Sequence, residues 1–149
     1  MAHKQQGPPI DILLVEDNLA DADLMIDALE ECCVQNTVHL TRDGFEALDF
    51  LYRRGEFPQV PRPDLIMLDL NLPKKDGREV LAEVKSDPHL RRIPIIIITT
   101  SQSQEDVEKT YDLHANCFLM KPRDLSELID LVRRIEQFWF DVVKLPHGK

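Results

Sequence analysis

The chain is short of positive charge. Its 18 Lys and Arg stand against 27 Asp and Glu, a formal net charge of −9, the reverse of the basic stripe that direct DNA binding requires. The same balance disfavours adhesion to anionic membrane surfaces. No apolar run is longer than Ile95–Ile98, far too short for a membrane span. Cysteine is scarce: Cys32, Cys33 and Cys117 are odd in number and lack metal-ligand spacing, so they are expected as reduced thiols. Cys32 and Cys33 are neighbours, which cannot easily close a disulfide of normal geometry, and they are expected to pack rather than react. The residues after Met1 are polar and include Pro8 and Pro9, so no secretory signal is expected. Repeats and low-complexity stretches are absent as well. These exclusions leave an acidic cytoplasmic protein, and 149 residues suit one domain.

What is present is an alternation of two kinds of segment. Apolar runs occur at Ile10–Val15, Thr37–Thr41, Asp64–Asp69, Ile93–Thr99 and Ala115–Met120. Three are apolar almost throughout, as parallel strands buried on both faces should be. Helical spacing fills the intervals: Leu19, Ala22, Met25, Ile26 and Leu29, then Ala47, Leu48, Leu51 and Tyr52, then Val80, Leu81 and Val84. The stretch carrying Val107, Tyr111 and Leu113 is more polar and less clearly periodic. The last helix is the clearest, with Leu125, Leu128, Val132, Ile135, Trp139 and Val142 on one stripe. Five strands alternating with five helices predict an α/β fold, a doubly wound five-stranded parallel sheet covered on both sides. Residues 10–143 form this domain, with residues 1–9 and 144–149 expected as tails. Asp87-Pro88 stops the third helix, because proline disfavours helical dihedrals in the residue before it.

In open parallel sheets, sites form beyond the carboxyl ends of the strands. The first strand delivers Glu16 and Asp17 there, the third Asp69 and then Asn71, the fourth Thr99, Thr100 and Ser101, and the fifth Lys121. Three clustered carboxylates cannot all stay ionised without a partner. An oxygen-only donor set favours Mg²⁺, which binds through carboxylates, waters and a phosphate. A lysine and a hydroxyl opposite would hold the other phosphoryl oxygens. The constellation suits phosphoryl transfer, with Asp69 as nucleophile forming an acyl phosphate.

Leu14-Val15-Glu16-Asp17-Asn18, Leu68-Asp69-Leu70-Asn71-Leu72-Pro73 with Asp76-Gly77, Thr99, and Lys121-Pro122 together resemble the receiver domain of two-component response regulators, over about residues 8–140. More narrowly, the insertion 50–63, Arg78-Glu79-Val80-Leu81, the segment 111–116 and Phe138-Trp139 resemble the single-domain receivers paired with cyanobacterial phytochromes. The resemblance implies a flavodoxin-like fold and a Mg²⁺-dependent phosphoacceptor served by a sensor histidine kinase. It implies Asp69 as acceptor, Asp17 and Asp69 as direct metal ligands, Asn71 as a main-chain ligand and Glu16 acting through water. Thr99 and Lys121 would contact the phosphoryl group, and Phe118 would turn inward as Thr99 moves. Asn71, Thr100 and Ser101 would tune the rates, and Lys121-Pro122 is expected to be cis. A phosphatase of the haloacid dehalogenase type would need a second Asp where Asn71 stands, and a degenerate receiver would lack some of these residues. The consecutive aromatics Phe138, Trp139 and Phe140 must point to at least two sides of a helix. A homodimer contact through Phe138, Trp139 and Val142 is therefore expected, with packing inside the domain as the alternative.

Overall fold

A computed structural model describes residues 5–32 and 34–146 of the chain. Cys33 and the outermost residues of both expected tails lie outside the described residues. The elements follow in strict alternation: β1 (Gln5–Val15), α1 (Leu19–Glu30), β2 (Val34–Thr41), α2 (Gly44–Leu51), β3 (Leu65–Leu68), α3 (Gly77–Ser86), β4 (Ile95–Thr99), α4 (Gln104–Asp112), β5 (Cys117–Met120) and α5 (Leu125–Glu136). A turn of π-helix, Gln137–Val142, continues α5. Each α-helix begins on a short polar cap (Asn18, Asp43, Asp76, Ser103 or Asp124) whose side chain accepts a first-turn amide. Such caps satisfy donors that the helix itself cannot.

The sheet is parallel throughout, in the order β2-β1-β3-β4-β5. Alternation along the strands divides the core in two. Ile12 and Leu14, Leu65 and Met67, and Ile96 and Ile98 face α1 and α5, against Met25, Leu29, Leu128, Val132 and Ile135. Leu13 and Val15, Ile66 and Leu68, and Ile95 and Ile97 face α2 and α3, against Leu48, Leu51, Leu81 and Val84. Each such side chain contributes about 1.5–3 kcal/mol on burial. Cys32 is buried, and its sulfur accepts the Val34 amide at 3.4 Å. Burial pushes its thiol up to about 11, so this cysteine packs and does not react.

Three expectations need correction. The strand β1 runs back to Gln5, which pairs with Val34 across an irregularity before Ile10. Between Gln5 and Ile10 the partner on β2 advances only from Val34 to Asn36, and pairing with β3 starts at Ile12. The other tail returns to the molecule, because Leu145 is buried in the α1/α5 core. Finally, the apolar stripe of α5 changes period at its end. The Val143 amide donates to the Phe138 carbonyl at 2.8 Å, five residues back. The wider turn puts Phe140 into the core after Ile135, while Val142 is 72% exposed. A period of 3.6 places Val142 inward as well, whereas Trp139, on the same expected stripe, does pack half-buried against this core.

Candidate phosphoryl and metal site

The sheet order reverses between β1 and β3, and the crevice beyond their carboxyl ends is where such folds bind ligands. Glu16, Asp17 and Asp69 meet there, each offering an oxygen within 4.8 Å of the others. Glu16 and Asp69 are buried and Asp17 is exposed, so the cluster opens to solvent on one side. Backbone turns fix the two buried carboxylates: the Asn18 amide donates to Glu16 at 3.2 Å, and the Asn71 amide to Asp69 Oδ1 at 3.1 Å.

Lys121 enters from the end of β5. Its Nζ reaches Glu16 at 2.5 Å, Asp21 at 3.1 Å and Asp69 Oδ2 at 3.2 Å, and only 5% of its side chain is exposed. Burial pushes the Glu16 carboxyl up, against the hydrogen bond and charge of Lys121. Burial also opposes the Lys121 charge, but its bond to Glu16 and the Asp69 charge outweigh it and keep it a cation. One ammonium therefore pairs with three carboxylates, and Asp17 adds a fourth to the cluster. That excess of negative charge, on oxygen donors alone, fits a hard divalent cation.

Thr99 closes the opposite wall. It is fully buried, and its Oγ1 accepts from Asn71 Nδ2 and from the Ser101 amide, each at 3.4 Å. Thr100 is exposed and lines an open cleft with Met120, Lys121 and Pro122. Phe118 is half-buried against the α2/α3 side of the core, and its amide donates to Tyr111 Oη at 3.2 Å. The Lys121–Pro122 bond is trans, as are all peptide bonds among the described residues, contrary to the cis expectation. Before proline the two isomers differ by only about 0.5–1 kcal/mol, too little for a motif to decide.

Sequence reasoning missed one participant and the role of another, which it quoted only as part of a turn motif. Asp21 is a third carboxylate on the lysine, beside Glu16 and Asp69, and its place one helical turn after Asp17 was a usable signal. Gly77 is the other. A Cβ there would lie 2.2 Å from the Asp69 carbonyl oxygen, so the start of α3 can pack beneath the Asp69 loop only as glycine. Phe138 and Trp139 lie apart from the site, edge to face at 5.8 Å, with Phe138 54% exposed and Trp139 half-buried.

A doubly wound sheet whose crevice gathers carboxylates, a lysine and a hydroxyl around one aspartate has the donor set that metal-assisted phosphoryl transfer requires. The chain belongs to the response regulator receiver domain family, which matches residues 12–133. Receivers bind a divalent metal and accept a phosphoryl group from histidine kinases onto an aspartate. The response regulator Rcp1 of Synechocystis sp. is 49% identical over 142 residues, covering 95% of this chain and 97% of that protein. Its Mn²⁺-bound crystal structure superposes with a TM-score of 0.90 over 93% of this chain and 99% of that one. The phosphorylated cyanobacterial phytochrome response regulator RcpA, 50% identical, gives a TM-score of 0.91 over the same shares. The bacteriophytochrome response regulator AtBRR is 40% identical, with a TM-score of 0.71 over 89% of this chain and 96% of that one. No helix among the described residues is long and apolar enough to cross a membrane.

Proposed function

We propose that Asp69 is the phosphoacceptor of this receiver and that the protein catalyses its own phosphorylation from a phosphohistidine. The observation that carries the reading is the buried Lys121 ammonium 3.2 Å from Asp69 Oδ2, beside carboxylates able to share a cation. An Asp69 oxygen attacks phosphorus, the new O–P bond forms as the N–P bond breaks, and the imidazole leaves with the electron pair. Lys121 balances charge on the phosphoryl oxygens, and the Thr99 hydroxyl donates to one of them. Asp17, Asp69 and the Asn71 carbonyl would hold Mg²⁺, with Glu16 acting through water. The cation supplies charge neutralisation for the incoming group. Phe118 follows Thr99 as the switch aromatic, and Asn71, Thr100 and Ser101 set the rates.

The kinase is a phytochrome, the reading supported by similarity to Rcp1, RcpA and AtBRR, and a cytoplasmic location goes with such a partner. The protein acts as a homodimer through Phe138, Trp139 and Val142. Incubation with labelled autophosphorylated kinases in Mg²⁺ tests the function. Label should pass fastest from a phytochrome kinase and be labile to base. Asp69→Ala should take up none while melting no lower than wild type, since it removes one of several repelling carboxylates. Wild-type labelling of Asp69→Ala would refute the acceptor, and equal transfer from unrelated kinases would refute the phytochrome link.

A further inference from the structure

Arg78 stands where its own helix disfavours it. It lies in the first turn of α3, whose partial positive end repels a cation, and the chemistry above does not use it. Two carboxylates hold it there. Its Nη1 donates to Asp76, the cap of α3, while Nε and Nη2 donate to the two oxygens of Asp106 at 2.9 and 2.7 Å. This fork crosses from α3 to the first turn of α4 and is largely shielded, with 22% of the Arg78 and 18% of the Asp106 side chain exposed. Bidentate pairing of this kind fixes geometry as well as charge. Asp106 Oδ2 also accepts the Ser101 hydroxyl at 2.6 Å, so the clamp ends on the loop between β4 and α4.

That loop sets the role of Thr99. A hydroxyl has two lone pairs and one hydrogen. Both lone pairs of Thr99 face donors, the Ser101 amide and Asn71 Nδ2, which leaves the O–H to donate. Both contacts are long, at 3.4 Å, so the rotamer depends on where Ser101 is held. We propose that Arg78 and Asp106 are positioning residues for the phosphoryl group: by anchoring Ser101 they keep Thr99 turned as a donor toward Asp69. The inference rests on Asp69 being the acceptor.

Beryllofluoride, which mimics a phosphoryl group on aspartate, provides the test by calorimetry on the full chain in saturating Mg²⁺. Arg78→Ala and Asp106→Ala should each weaken beryllofluoride binding about tenfold, roughly 1.4 kcal/mol. The double variant should lose little more than either single one, as members of one unit do. Arg78→Lys keeps the charge without the fork and should recover only part. Titration with Mg²⁺ alone should match wild type in every variant, because Glu16, Asp17 and Asp69 are untouched. Melting curves identify a variant that does not fold, and Ser101→Ala, which removes only the last hydroxyl of the clamp, then carries the same comparison. Wild-type beryllofluoride affinity in the variants, or equal weakening of Mg²⁺ and beryllofluoride, would overturn the proposal alone. A wild-type chain that binds no beryllofluoride would overturn the functional reading and the proposal with it.

Discussion

At the scale of single residues, the site is held by contacts that residue type alone does not disclose. Gly77 follows Asp76 in a turn motif, but its requirement is proximity to the Asp69 carbonyl. Gly77→Ala must push the Asp69 loop or α3 aside. A loss of about 1–3 kcal/mol in urea denaturation is expected, with reduced phosphoryl uptake because the acceptor's own backbone moves. Asp106 yields a pH prediction. Hydrogen bonds from Arg78 and Ser101 hold its carboxyl below the usual carboxylate range. A depressed folded pKa means stability that is present above the unfolded value of 3.8 and lost as pH falls through the folded value. Asp106→Asn should therefore flatten the acid limb of the stability profile below about pH 4, measured by denaturation at fixed pH steps. A limb as steep as that of wild type would mean that the pair adds nothing.

Among the elements, anchoring is unequal. Helix α3 buries Gly77, Val80, Leu81 and Val84, whereas α4 buries Thr110 alone. Polar contacts do much of the work on α4: the Arg78–Asp106 fork at one end and the Tyr111 hydroxyl on the Phe118 amide near the other. Elements with few buried apolar contacts open at low cost. Amide hydrogens of α4 are expected to exchange faster than those of α3 in hydrogen-exchange measurements, and equal protection would contradict this ranking. The same imbalance explains the weak apolar periodicity around Val107, Tyr111 and Leu113. That helix has little apolar face to display.

For the whole molecule, the question is what covers Phe138 and Val142, 54% and 72% exposed at the end of the α5 extension. The π turn turns Phe140 inward and leaves these two outward, on one side of the chain's end. A two-fold contact can cover such a patch with its own copy. Sedimentation should find a dimer at ~100 μM, well above a micromolar dissociation constant. Phe138→Glu should shift it to monomer. At concentrations low enough for wild type to be monomeric the two should melt alike, since in the single chain the ring is 54% exposed. A monomeric wild type at that concentration would rule the dimer out.

The sequence by itself determined the alternation of five strands and five helices, the two-sided core and the strand-end positions of Glu16, Asp17, Asp69, Thr99 and Lys121. These are properties of local periodicity and of parallel sheets, in which every strand delivers its last residues to the same edge. The tertiary structure alone decided the rest. Asp21 joins Lys121, Gly77 meets the Asp69 carbonyl and Arg78 reaches Asp106 because α1, α3 and α4 pack at particular offsets. Pairings across elements leave no period in the chain. The π turn after Glu136 is likewise invisible to a 3.6-residue pattern, since one extra residue in a turn changes which aromatic is buried without changing composition. The trans Lys121–Pro122 bond belongs with these, because before proline the isomers differ by only about 0.5–1 kcal/mol.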